Sequence, residues 1–519
     1  MILINSSPKN ALRMFQPFLP IFVPVGIGCL LGMAEKKGIN ARHIDEQIEN
    51  DILGLVAEYV KGMQKPYIFG FSVLTVAFKN AVLLSGKLKR IYPDSVIVFG
   101  GVHPTAVPDE VLSYGHIDAV VRGEAEKTLF DFYLCVKENK DFTHLDNISY
   151  RRGGRIIHNR RGPIIDDLDS LPRFPYHLFT SKRYDLGFIV SSRGCPYDCI
   201  FCSNRITTGK KYRYKSAQAI LEELTLLYKR YSINFVLFLD DNLLVDKKRL
   251  FLLVEGIKKE GLDKKMTFSC QGRGDNVNYQ LLKDLYDAGF KSIFFGLETS
   301  SDKVMRAIKK NESVAECVEA VRLAKKIGYH VSATFIYGLP EETHLDRMNC
   351  VKLSNELGID MIRYNNATPY PGTELYDIAK RQGSLKIDGL YENFVSVGTF
   401  IESPFKKIPI PYIPAGSSEA QIRMDILFSY FNSYLNLPKI KMIFLEPDQG
   451  VGWFNAGDNL VDILRKIPAI LTLVFILCSK FIQLFCYSVI NKETSISFKF
   501  FLNVFNPHFS LSGHSKTKQ

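Results

Sequence analysis

A chain of 519 residues is too long for one ordinary domain and suggests two or three. Its 46% hydrophobic and 23% charged content belongs to a protein with a substantial core and excludes a disordered one. The net charge of +12 raises nucleic acid or an anionic membrane as partners, but the cations are scattered as pairs such as Lys36-Lys37, Lys247-Lys248 and Lys325-Lys326. That pattern suits solvated helix surfaces, and no basic stripe with interleaved aromatics is present, so no nucleic-acid partner is expected.

Residues 1–145 alternate strand and helix signals. Strands are predicted at Ile2 to Asn5, Ala41 to Ile44, Tyr67 to Val73, Val96 to Phe99 and Ala119 to Val121. Helices are predicted at Val25 to Lys37, Glu46 to Met63, Phe78 to Ile91 and Ala125 to Lys137. Five strands with interleaved helices imply a doubly wound, flavodoxin-like parallel sheet of the Rossmann type, with its ligand beyond the strands' carboxyl ends. Gly100-Gly101, after the fourth strand, marks a place where backbone can approach a bulky ring closely. Residues 146–185 read as a linker with a hairpin, Ile148 to Arg151 and Arg155 to Asn159 around Gly153-Gly154.

Residues 186–385 repeat strand then helix six times. The predicted strands are Phe188 to Val190, Phe235 to Leu239, Met266 to Cys270, Ser292 to Phe295, Val331 to Ile336 and Met361 to Tyr364. Helix starts are marked by Ser216, Asp246, Asn278, the capping box Ser313-x-x-Glu316, and Thr343. Six such units make a partial (β/α)6 TIM-type barrel, whose chemistry belongs at the strands' C-terminal ends. Those ends carry Asp240-Asp241-Asn242, Gln271-Gly-Arg273, Gly296-Leu-Glu298 and Tyr337-Gly338-Leu-Pro340. A rim both acidic and basic suits a zwitterionic amino acid joined to a nucleoside.

The loop after the first barrel strand reads Ser-Ser-Arg-Gly-Cys195-Pro-Tyr-Asp-Cys199-Ile-Phe201-Cys202-Ser-Asn. Zinc wants four ligands, and no His or fourth Cys lies near. Disulfides use cysteines in pairs and suit an oxidising compartment, whereas ten cysteines with no leading signal peptide fit a reducing cytoplasm. A [4Fe-4S] cubane normally takes four thiolates, so three leave one iron open to another ligand. Three unrelated buried thiols are the alternative.

Residues 386–519 are expected to form a mostly helical cap over the barrel mouth, where substrate identity would be decided. Ile467 to Ile490 is apolar except for insertions, chiefly Lys480 and Gln483. Its length suits a membrane span, yet a central lysine is costly in hydrocarbon, so a span, an interfacial helix and a core helix all stay open.

The C-x3-C-x2-C spacing resembles the signature of the radical S-adenosylmethionine (SAM) superfamily. That resemblance implies that Cys195, Cys199 and Cys202 hold a [4Fe-4S] cluster whose open iron chelates SAM, and that cluster and SAM together generate a 5'-deoxyadenosyl radical. It also implies that Asp240 and Asp241 contact the SAM amino group and Arg273 its carboxylate, that Glu298 contacts the ribose, and that Gly338, Pro340 and Phe201 meet the adenine. The first region resembles the cobalamin-binding domain of many such enzymes through Ser72-Val-Leu74, Gly100-Gly101, the run Val102-His103 to Glu110, and Arg122-Gly-Glu124. The Asp-x-His-x-x-Gly loop that supplies a lower cobalt ligand elsewhere is missing, the chain reading Pro17 to Gly28 instead; His103 is the nearest alternative. Thr368 to Tyr376 resembles a segment of the same branch.

The function so implied is methylation of an unactivated carbon of a small or lipid-like metabolite, with an external one-electron donor of flavodoxin or ferredoxin type. The alternatives are a radical oxidative cyclase or rearrangement enzyme, as in the anaerobic magnesium-protoporphyrin cyclase, and a non-catalytic cobalamin or SAM sensor. With only Cys29 and Cys135 in the first domain, a second cluster and hence methylthiolation are disfavoured. The expected setting is cytoplasmic, peripheral to the inner membrane if residues 467–490 lie on it.

Overall fold

The computed structural model describes residues 1–8, 21–402, 406–435, 439 and 460–491. Residues 9–20, which contain the first four residues of the stretch standing where the Asp-x-His loop would be, lie outside the described residues, as do 440–459 and 492–519 of the C-terminal region.

The first sheet contains β1 (Ile2–Asn5), β2 (Arg42–Asp45), β3 (Ile68–Ser72), β4 (Val96–Gly100), β5 (Ala119–Val121) and the hairpin β6 (Ile148–Arg152) and β7 (Arg155–His158), in the order β2-β1-β3-β4-β5-β6-β7. The first five are parallel, which is the flavodoxin-like arrangement expected, and the hairpin extends the sheet antiparallel. Their apolar runs are buried on both faces because side chains alternate. Leu3, Val98 and Val121 face helix α1 (Val25–Lys36), while Ile2, Ile4, Phe69, Ile97 and Phe99 face helices α2 (Ile52–Val60) and α3 (Phe78–Ile91). Asn5 pairs with Ser72 and Ser72 with Gly100, so three strands finish level and share one rim.

Helix α2 is shorter than the expected span from Glu46. Asp45 accepts the Gln47 amide at 2.9 Å in a turn, and the Asp51 side chain caps the Gly54 amide at 2.9 Å, so the helix begins only there.

The second sheet runs in sequence order through β8 (Phe188–Ile189), β9 (Phe235–Phe238), β10 (Thr267–Gly272), β11 (Phe290–Glu298), β12 (His330–Tyr337) and β13 (Met361–Asn366), all parallel. This is the six-stranded open barrel, with Ser216, Asp246, Asn278, Ser313 and Thr343 each capping a helix. One apolar cluster joins α1 and the α1-facing sheet residues to the barrel core. Phe174 of the connecting segment presses on α1 so closely that a Cβ at Gly28 would lie 2.2 Å from its ring.

The described part of the C-terminal region seals the open flank of the barrel. On the helix Glu419–Tyr434, the Tyr434 hydroxyl donates to Ile362 O at 2.7 Å and the Tyr430 hydroxyl accepts the Tyr364 amide at 3.1 Å, satisfying backbone of the edge strand β13. Helix Leu460–Asn491 docks on Glu419–Tyr434 through Leu477, Phe481 and Leu484.

Candidate active site

The cysteine loop is threaded between a two-residue strand, Ser192–Arg193, and the short helix Arg205–Thr208. Gly194 opens it with φ +84°, and a Cβ there would lie 2.3 Å from Lys211 O, so glycine is required. The loop is tied to neighbouring rim segments by Ile200 N to Ile308 O at 3.1 Å and Leu375 N to Ile200 O at 2.9 Å. Cys195, Cys199 and Cys202 are half-buried and outside any disulfide. Burial raises all three thiols, Cys202 to about 12, while Lys310 and Arg273 pull Cys199 back down. Such thiols stay protonated until a metal displaces the proton, the behaviour of ligand cysteines. Among the described residues no three His, Cys, Asp or Glu side chains are close enough for a single ion. A cubane, with one thiolate at each of several irons, asks for wider spacing.

The rim residues divide sharply. Asp240 is 1% exposed and accepts from the hydroxyls of Ser191, at 3.0 Å, and Ser192, which anchors the start of the cysteine loop. Its neighbour Asp241 points the opposite way, accepts from Asn204 Nδ2 at 2.6 Å, lines the cavity described below and is raised to about 6 by burial. Arg273 lies over the Tyr197 ring at 3.7 Å, with its Nε and Nη2 each 2.9 Å from the Asp275 carboxylate. Its Nη1 faces Cys199 Sγ at 4.0 Å.

Glu298 takes φ +59° at a register shift between β11 and β12, backbone strain of the kind that gathers at functional sites. Its Oε1 is 2.7 Å from Lys310 Nζ. Burial alone would lower Lys310, but Glu298 and Glu312 outweigh it and hold the ammonium above its usual range. Gly338, φ +86°, donates its amide to Glu342 at 2.5 Å, and Pro340 follows half-buried. Phe201 is half-buried against the barrel core.

A cavity of about 360 Å³ lies between the level carboxyl ends of the first sheet and the cysteine loop. Ser72, Gly100 and Gly101 line one side, Gly26 and Cys29 of α1 a second, and Arg193, Thr207 and Asp241 the barrel side. Gly101 has φ +100°, and a Cβ there would lie 3.0 Å from Val73 backbone, so the cradle excludes a side chain. The volume fits a small ligand or one arm of a larger one. Leu74 is 57% exposed and does not line it.

Nor does His103, which is fully buried between the rings of Phe78 at 4.3 Å and Tyr391 at 4.9 Å and held by burial at about 3. Angled packing against those two rings, rather than ligation into the cavity, is its place in the fold.

Charged residues beyond those expected join the two halves. Arg193, two residues before Cys195, pairs with Glu126 at 2.5 Å and Glu124 at 3.3 Å, and Arg213 reaches Glu124 at 2.9 Å, all nearly buried. The run Arg122-Gly-Glu124 hinted at Glu124, whereas nothing local marks Arg193, Arg213 or Lys310.

The radical SAM superfamily model matches residues 189–353, and the B12 binding domain model matches residues 18–132. An uncharacterized methyltransferase of Pyrococcus horikoshii is 31% identical over 362 residues, covering 69% of this chain and 78% of that protein. The chain is a B12-binding member of the radical SAM superfamily.

This radical SAM enzyme is also 24% identical over 444 residues to the anaerobic magnesium-protoporphyrin IX monomethyl ester cyclase of Cereibacter sphaeroides, covering 83% of the chain and 69% of the cyclase. Its fold is shared with the methyltransferase TsrM from Kitasatospora setae, solved with cobalamin and a [4Fe-4S] cluster, at TM-score 0.63 and 16% identity over 82% of this chain and 84% of that one. The radical SAM enzyme uses a [4Fe-4S] cluster, SAM and cobalamin. The protonatable half-buried thiols fit the first, and the side-chain-free Gly100-Gly101 cradle fits the last.

Proposed function

We propose that the enzyme methylates an unactivated carbon of a small or lipid-like metabolite. One observation carries the reading: the Gly100-Gly101 cradle shares its cavity with Arg193, two residues before Cys195, and with Asp241 of the barrel rim, which supports neighbouring cofactor seats. When bound, the cluster supplies the electron for SAM cleavage and cobalamin carries the methyl group.

The chain's own residues then bind and orient. Cys195, Cys199 and Cys202 hold the cluster, and Asp241 takes the SAM amino group, with Asp240 positioning the loop behind it. Arg273 Nη1 offers the carboxylate a charge-assisted donor while Asp275 fixes the rest of the guanidinium. Glu298, braced by Lys310, takes the ribose, and Gly338, Pro340 and Phe201 border the adenine. Ser72, Gly100 and Gly101 receive cobalamin, with Leu74 exposed nearby. In such a site fixed orientation contributes more than acid-base strength. An external flavodoxin- or ferredoxin-type donor supplies electrons, and the setting is cytoplasmic, peripheral to the inner membrane through residues 467–490.

A second reading, oxidative cyclisation, is favoured by the likeness to the magnesium-protoporphyrin cyclase. Anaerobically reconstituted enzyme with SAM and substrate separates them: methylation releases 5'-deoxyadenosine and S-adenosylhomocysteine together. Deoxyadenosine alone sinks methylation in favour of cyclisation, and release of neither favours a sensor.

A further inference from the structure

We infer that helix Leu460–Asn491 lies on an anionic lipid surface, its outward apolar face in the headgroup–acyl boundary and its inward face fastened to the barrel. This deepens the membrane-surface part of the reading above.

The inward face is Ile476, Lys480, Leu484 and Ser488, spaced four apart and each buried. Leu484 packs with Met424, Leu427 and Phe431 of helix Glu419–Tyr434. Lys480 is 1% exposed; its Nζ donates to Thr399 O at 2.6 Å and lies 3.6 Å from Glu402 Oε1, and Glu402 also holds Arg423 at 2.6 Å. By length and composition Lys466–Ile490, with mean hydropathy 2.2, could cross a membrane. Spanning, however, would carry Lys480 away from both partners into hydrocarbon, so the docked helix is not a span.

The outward face is unlike that of a helix meeting water. Leu464, Leu471, Val474, Ile482 and Val489 are 55%, 64%, 46%, 60% and 57% exposed. At 100° per residue they fall on the side opposite Lys480. The row extends over about 38 Å at 1.5 Å per residue, a contiguous exposed apolar patch of the kind that marks an interaction or membrane surface.

Charge selects the occupant. Within Leu460–Asn491 the charged residues are Asp462, Arg465, Lys466 and Lys480, and Lys492 and Glu493 follow. The cationic pair Arg465-Lys466 at one end of the apolar stripe, in a chain of net charge +12, matches anionic headgroups at an acyl boundary. A second copy paired in parallel would bring Arg465 and Lys466 onto their like, in a chain already at +12.

The test uses the full-length chain without SAM, floated with vesicles of phosphatidylcholine alone or with about 30 mol% phosphatidylglycerol. Flotation with the anionic vesicles is expected to exceed that with neutral ones several-fold. It should fall about tenfold in Leu471→Asp/Ile482→Asp, whose melting temperature stays unchanged because both sites are exposed, and stay at the wild-type level in Leu252→Asp, on the barrel's outer surface. The inference is overturned by absent flotation, by flotation that the double variant leaves intact, by resistance to alkaline carbonate extraction, which marks a span, or by a dimer that the double variant dissolves. Because no turnover is measured, failure here leaves the methylation reading standing, and the reverse holds.

Discussion

Replacing Lys310 with Met tests whether Glu298 owes its position to a buried ion pair. Lys310 Nζ is 2.7 Å from Glu298 Oε1, 2.8 Å from Gly296 O and 3.8 Å from Glu312 Oε2, and Lys310 and Glu298 are 4% and 7% exposed. Removing one member of such a pair leaves the other charge buried without compensation, a loss of about 3–5 kcal/mol. The Gly296 carbonyl also loses a charge-assisted bond, but the two losses overlap, so about 3–5 kcal/mol is the expected total.

Glu298→Gln keeps a hydrogen-bonding group against Lys310 and should cost less, about 1–3 kcal/mol. In the double variant Lys310→Met/Glu298→Gln the orphaned carboxylate is gone, and about 2 kcal/mol of the summed loss should return. Urea midpoints of the cofactor-free proteins, compared as a double-mutant cycle, measure this, and the affinity for SAM should fall in step with the single Lys310 change. A loss below about 1 kcal/mol, or losses that simply add, would refute the argument and mean that the strained backbone at Glu298 positions it unaided.

Gly194→Ala forces a Cβ to 2.3 Å from the Lys211 carbonyl at a positive φ, so iron and sulfide bound per chain after reconstitution should drop severely while the first domain still binds cobalamin. Gly101→Ala meets Val73 backbone at 3.0 Å; retained cobalamin, read from visible absorption, should fall at least tenfold, with a stability loss of about 1–3 kcal/mol. Asp241 titrates in the folded protein near 6, above its unfolded value, so the folded state keeps the proton that the unfolded state gives up. Stability of the cofactor-free protein should therefore fall as pH rises from about 4 through 6, by up to about 2–3 kcal/mol, and Asp241→Asn should remove that part of the slope in urea unfolding. Cys199→Ala should abolish cluster absorbance without unfolding the barrel, as seen by circular dichroism.

What the sequence made legible was periodic and local. Apolar runs of three to seven residues alternating with helical patterns located both parallel sheets, because that alternation is the mark of repeated βαβ units. Ser216, Asp246, Asn278 and Ser313 announced helix starts because capping is settled within three residues. The cysteine triad was legible for a similar reason, its three members lying within eight residues.

Tertiary structure decided what depends on distant partners. Asp240 and Asp241 look alike in sequence, yet in the loop after β9 one turns to Ser191 and Ser192 and the other into the cavity. His103 lies next to the glycine cradle in sequence but is shut away by Tyr391, nearly three hundred residues on. Arg193 meets Glu124 and Glu126 across about seventy residues, and Lys480 is made tolerable in an apolar helix by Thr399 and Glu402 about eighty residues earlier. A charge's worth is set by its solvent exposure and its nearest opposite charge. Neither quantity exists until the chain has folded.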